Sequence, residues 1–151
     1  MKSKLYLLLI LIIYGCSSQE KVINNITCPG QVTLQYDIVK KSDKGKPIAK
    51  KGLSAFTVYF INEFNDSIQG YVNDKLYYNK YLKTSSNSDN LNESFGYNYS
   101  KDKKAPILKL ISKTKKTCFD IEIDKKYKLV YVFITNEGKW TVRFSNIYYM
   151  R

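Results

Sequence analysis

From Gln31 onward, apolar and polar residues alternate with a period of two, the pattern of strands that bury one face. Val32, Leu34, Tyr36 and Ile38 interleave with Thr33, Gln35 and Asp37. Residues 53–62 are denser in β-branched and aromatic side chains, the composition of a central strand. Between these segments, residues 40–51 carry six lysines with Gly45 and Pro47, and read as a loop. Past the first fifteen residues no 3.6-residue periodicity holds, so no helix is expected.

Three hairpins follow from side-chain parity. A three-residue loop of Asn73, Asp74 and Lys75 sets Val72 opposite Leu76 and Gly70 opposite Tyr78. Ile68 and Val72 then share a face with Leu76, Tyr78 and Leu82, and Gln69, Tyr71, Tyr77, Asn79 and Tyr81 take the other. A second hairpin turns at residues 113–116, with Leu108 facing Ile121, Leu110 facing Phe119, and Lys109 opposite Asp120. A third joins residues 129–135 to 140–149 through Asn136, Glu137, Gly138 and Lys139. It aligns Tyr131 and Phe133 with Trp140, Val142 and Phe144, and places Trp140 in the core. Residues 85–94 are polar, lack apolar periodicity and read as a loop. Eight or nine short antiparallel strands with turns between them indicate one all-β domain over residues 31–151, an immunoglobulin-like β-sandwich.

The first residues alter the picture of where this domain resides. Lys2 and Lys4 precede an unbroken apolar run from Leu5 to Tyr14, and Gly15 then leads into Cys16. This is the layout of a secretory signal peptide, too short to span a bilayer, which takes about 20 apolar residues. Ile13-Tyr14-Gly15-Cys16 resembles the lipobox of bacterial lipoproteins, although Tyr14 stands where that family prefers a small residue. The resemblance implies that residues 1–15 are removed and that Cys16 becomes an acylated N-terminus, held in membrane lipid by diacylglycerol and palmitate-like chains. Two or more chains hold firmly, since each buried CH₂ contributes about 0.8 kcal/mol. The resemblance implies further that Ser17, rather than Asp, favours sorting to the outer membrane in a Gram-negative cell. Residues 16–30 then form a tether, polar at its start and closed by Pro29-Gly30.

Charge and cysteines refine this. The chain has a formal charge of +12, and removing Lys2 and Lys4 leaves +10. In a cytoplasmic protein such a surplus would point to nucleic acid, but an exported domain meets anionic lipid head groups instead, and no nucleic-acid partner is expected. With Cys16 acylated, Cys28 and Cys118 make an even pair in an oxidising compartment, and a bridge between them is expected, with two unpaired cysteines as the competing reading. Parity places Cys118 on the face away from Phe119 and Ile121, so the bridge requires the N-terminal segment to cross that face or an edge.

The chain has no histidine, which removes Ser-His and Cys-His nucleophiles and the usual zinc and haem sites. There is no P-loop or dinucleotide-binding glycine pattern, and neither metal nor cofactor is expected. Asp120, Glu122 and Asp124 share one face of a strand, with neighbours about 6.6–6.8 Å apart. That spacing suits a carboxylate-dependent hydrolase, but any amphipathic strand with acidic residues outward has the same geometry, and the solvated reading is favoured. The best binding candidate is the row Gln69, Tyr71, Tyr77, Asn79 and Tyr81, flat aromatic surfaces beside amides, the alternative being that these rings pack on each other or beneath a loop. The expected function is a lipid-anchored, non-enzymatic envelope module that presents a sheet face or loops to a protein or glycan. A structural or immunity-type lipoprotein, an assembly subunit or toxin-blocking protein, is the alternative.

Overall fold

A computed structural model describes residues 28–50, 52–61, 64–83, 93–100 and 103–149. The signal segment, Cys16, the tether up to residue 27 and loop residues 85–92 lie outside the described residues. Nine strands build two sheets: β1 (Val32–Tyr36), β2 (Ala55–Phe60), β3 (Asn65–Val72), β4 (Lys75–Lys83), β5 (Ser94–Asn98), β6 (Ile107–Ser112), β7 (Thr117–Glu122), β8 (Leu129–Ile134) and β9 (Trp140–Ser145). One sheet has the order β1-β9-β8-β2-β5, and the other β4-β3-β6-β7. They pack face to face as an all-β sandwich. Antiparallel pairing holds in five of the seven ladders among the described residues. The exceptions are β1 with β9 and β2 with β8, which run parallel.

The core between the sheets follows the alternation in most strands. Phe56, Val58 and Phe60 of β2 meet Ile68 and Val72 of β3, Leu108 and Leu110 of β6, and Phe119 of β7. Residues 53–62 indeed contain an inner strand, with β2 lying between β8 and β5. The hairpin of β6 and β7 has the expected register: Leu108 faces Ile121, Lys109 faces Asp120 and Leu110 faces Phe119.

The β8–β9 register differs by one residue. Val130, Val132 and Ile134 pair with Phe144, Val142 and Trp140, while Tyr131 and Phe133 pair with Arg143 and Thr141 on the outer face. The loop has three residues rather than four. Thr135 and Lys139 are bonded across it (N–O 2.9 Å), and Gly138 takes a φ of +79° in the left-handed region that glycine enters without steric cost. An odd loop shifts the parity. Trp140 is core as expected, its ring edge-on to Phe119 at 5.0 Å and its indole N–H directed at the Thr117 hydroxyl.

Both faces of β8 are apolar because both are covered. Behind the five-stranded sheet, Ile48 bridges to Ile147, Ala49 N–H donates to Asn146 O at 2.8 Å and Tyr148 N–H to Pro47 O at 3.0 Å. These two segments bury Leu129 and Tyr131 in a small second core with Ala49, Tyr59 and Phe133. The Tyr131 hydroxyl donates to Ile147 O at 2.9 Å. Burial pushes the Tyr131 phenol up to about 12.

Candidate functional site

Each expected site residue other than Cys16 has a definite place. In the β3–β4 hairpin the connection is a two-residue turn: Asn73 and Asp74 both have positive φ (47° and 62°), the conformation of a type I′ turn. A two-residue turn pairs Val72 with Lys75 and Tyr71 with Leu76, yet Gly70 still faces Tyr78 as expected. The two registers are reconciled by a β-bulge in which Tyr77 is the extra residue. Leu76 is therefore not opposite Val72 and not inward; it is 45% exposed on the outer face.

The bulge also divides the tyrosine row. Tyr77 leans to the rim of the sandwich, where its ring meets Tyr97 of β5 edge-on at 5.1 Å and the Lys75 ammonium lies 5.7 Å from its centroid. Tyr78 beside it stacks on Phe95 at 5.3 Å. Tyr71, Tyr81, Gln69 and Asn79 remain on the outer face, with Asn79 opposite Gln69 and Tyr81 opposite Ser67. Tyr81 is 61% exposed and donates to Asn65 Oδ1, whereas the half-buried Tyr71 donates to Gln69 Oε1 at 3.3 Å. Leu76, Lys109 and Ile111 complete this surface, Lys109 opposite Tyr71 and Ile111 opposite Gln69. The structure thus brings four of the five expected residues together and adds three that parity of the hairpin alone did not select.

Cys118 lies on the same outer face, opposite Ile111, and is buried. Residues 28–30 cover it: Cys28 and Cys118 are joined as a disulfide with Cα atoms 5.1 Å apart, and Gly30 N–H donates to Cys118 O at 2.6 Å. The crossing is close. A Cβ at position 30 would sit 2.1 Å from the Thr117 hydroxyl, so only glycine passes there. The N-terminal segment crosses the free edge of β7 and then enters the other sheet as β1, where Trp140 N–H donates to Gln31 O.

The acidic row is divided between a strand and a turn. Asp120 and Glu122 lie outward on β7, Asp120 facing Lys109 and Glu122 facing Ile107, and the strand ends there. Asp124 belongs to the following turn, where its carboxylate accepts the Lys126 N–H at 2.9 Å. No group of three or more His, Cys, Asp or Glu side chains among the described residues is placed to hold a metal ion.

One buried carboxylate was missed in the sequence. Asp66 has 0% exposure, sharing the inward parity of Ile68 and Gly70 on β3. It accepts the Ser112 hydroxyl and, at 3.1 Å, the Thr114 N–H, while Ser112 Oγ accepts the Lys115 N–H at 3.0 Å. These bonds fix the turn between β6 and β7, and the role is structural. In the lysine loop, a 3-10 turn at Lys41–Asp43 holds Asp43 against Lys46 (2.7 Å) and the Lys40 N–H (2.9 Å). The hydrogen bond from Lys46 holds the Asp43 carboxyl below its usual range.

Comparison with known protein families, with curated proteins and with solved structures found no match.

Proposed function

We propose that the chain is a lipid-anchored, non-enzymatic binding module of the bacterial cell envelope, and that the outer face of the β4-β3-β6-β7 sheet receives a protein or glycan partner. One contrast carries the reading. The outer face of the five-stranded sheet is covered by two chain segments, while that of the four-stranded sheet has no such layer among the described residues beyond the crossing at Cys118. Tyr71, Leu76, Tyr81 and Ile111 give this face aromatic and aliphatic surface, and Gln69 and Asn79 give it donors and acceptors. Tyrosine beside amides is the composition of surfaces that bind proteins or stack on sugar rings. The anchor is Cys16, and Ser17 favours the outer membrane where the cell has one.

The test is capture from envelope extract by the immobilised full chain, with the extract treated beforehand by protease or by periodate. Tyr71→Ala combined with Tyr81→Ala should abolish capture without changing the melting midpoint by more than a few degrees. Protease sensitivity assigns a protein partner and periodate sensitivity a glycan. Undiminished capture by the double variant would remove this face from consideration.

A further inference from the structure

The five-stranded sheet ends in a strand that differs from the other three sheet margins. β4 carries Lys75, Lys80 and Lys83, charges that discourage further pairing at an edge. The margin of β7 is crossed by residues 28–30. β5 has a central glycine, and its Phe95 and Tyr97 rings are packed against Tyr78 and Tyr77. β1, with the sequence Val-Thr-Leu-Gln-Tyr, has no charge, no proline and no bulge, and all five residues are exposed.

Its backbone polarity is defined by the ladder to β9. In a parallel pair, alternate residues direct both backbone groups to the neighbour. Gln31 O accepts from Trp140, and Asp37 N–H donates to Phe144 O at 2.9 Å, so the odd-numbered residues face β9. Val32, Leu34 and Tyr36 therefore turn three N–H and three C=O groups to the open side, with no partner among the described residues. The same three residues project inward beside Trp140, Val142 and Phe144, but the four-stranded sheet stops at β7 and leaves them overhanging. They are 37%, 41% and 51% exposed, although Tyr36 stacks on Phe144 at 5.2 Å.

Charge says what suits this margin. Beyond the C-terminal end of β1 stand Lys40, Lys41 and Lys44, all exposed. At the other end, Gly30 abuts Thr117, and a Cβ at position 138 would lie 3.7 Å from the Lys115 side chain, which places Lys115, Lys116 and Lys139 there. The nearby acids are fewer: Asp43 is paired with Lys46, Asp37 accepts the Tyr149 hydroxyl, and Glu137 sits beside Lys139 and Lys115. A second copy of this chain would bring equal positive charge to both ends of the contact. A strand with acidic flanks would complement it.

We propose that β1 is a docking edge for an extended peptide segment of a partner protein, which adds as a sixth strand, with acidic residues flanking an uncharged, alternating apolar core. Its backbone pairs with Val32, Leu34 and Tyr36, its apolar side chains extend the overhang, and its acidic ends meet the two lysine groups. Strand addition of this kind draws affinity from main-chain hydrogen bonds and selectivity from alternate side chains. The site is on the other sheet from Tyr71 and Tyr81, and it stands whether or not that face binds a partner.

The probe is a synthetic peptide of alternating valine and threonine with two glutamates at each end, compared with one carrying lysines in their place. Hydrogen exchange of the full chain in a non-ionic detergent is followed at each amide of residues 31–38. The acidic peptide should slow exchange at Val32, Leu34 and Tyr36 at least tenfold, and the lysine peptide should bind at least tenfold more weakly at low salt. Leu34→Lys places a charge on an exposed position, should leave the melting midpoint unchanged, and should weaken the acidic peptide at least tenfold. Equal binding of the two peptides, or no slowing at these amides, overturns the proposal. Slow exchange already present in the free chain also overturns it, assigning the edge to a second copy if concentration-dependent and to the chain's own N-terminal residues if not.

Discussion

Reducing the Cys28–Cys118 bond should destabilise the domain by an amount set by the length of chain it closes. The two residues are 90 apart in sequence. A cross-link over such a span removes about 15 cal/mol/K of entropy from the unfolded chain, or about 4.6 kcal/mol at 25 °C. Unfolding a domain of this size releases about 2.1 cal/mol/K per residue, so each kcal/mol moves the melting midpoint by about 4 °C and the whole effect is about 18 °C. Reduction is a cleaner perturbation than substitution. Cys118 is buried beneath residues 28–30, and both sulfurs remain after reduction, so no cavity is added to the loss of the link. The assay is a pair of thermal melts with and without reductant, accompanied by alkylation of the unfolded, unreduced chain and mass measurement. Neither Cys28 nor Cys118 should take label. Two labelled thiols at these positions, or a midpoint that reduction moves by less than about 4 °C, would refute the reasoning.

Asp66→Ala should cost about 1–3 kcal/mol in urea denaturation, because Ser112 and the Thr114 N–H lose their buried acceptor. By contrast, Tyr81→Ala at an exposed position should stay within about 0.5 kcal/mol, and a larger loss would place that ring in the core. Stability should decline as pH rises from about 10 to 12. Burial raises the Tyr131 phenol, its stabilising contribution is fully present below the unfolded value, and it is lost as pH climbs through the folded one. Tyr131→Phe should flatten that alkaline limb in pH-dependent melts, and an unchanged slope would count against it. At the acid end, the hydrogen bond from Lys80 holds Glu93 below its ordinary range, so its contribution is complete above the unfolded value and disappears as pH falls through the folded one. Lys80→Ala should shift acid unfolding to higher pH, as followed by tryptophan fluorescence. Finally, Cys16→Ser should abolish palmitate incorporation, whereas an intact mass with an unmodified thiol at residue 16 would exclude the anchor.

Legibility in the sequence depended on how asymmetric each strand is. β7 sets Phe119 and Ile121 on one face against Asp120 and Glu122 on the other, and the pairing of Leu108 and Leu110 with them could be read directly. β8 offers no such contrast. Leu129, Val130, Tyr131, Val132, Phe133 and Ile134 are apolar on both faces, so only the turn could fix the register, and the left-handed Gly138 made it odd. Around Asn73, two opposing features cancelled: a two-residue turn shifts the pairing by one and the bulge at Tyr77 shifts it back. Two adjacent tyrosines conceal such a bulge, since Tyr77 and Tyr78 fit an alternation in either order. The alternation of Val32, Leu34 and Tyr36 was equally plain, but whether a second sheet extends far enough to cover those side chains is set by strand count, which no local pattern encodes. Asp66 was visible as an acidic residue at an inward position; what redeems it is Ser112 and the turn at Thr114, 46 and 48 residues away.

The crossing at Gly30 has a mechanical consequence. Tension applied to the chain ahead of Cys28 reaches the folded domain first at a covalent junction with β7, before it reaches β1. The strand that receives the load is tied along six residue pairs to β6, whereas β1 hangs from the sheet margin by one five-residue ladder. The disulfide is thus a strain relief. A pull that would otherwise peel β1 from β9 is diverted into the opposite sheet, and β1 stays in place under load.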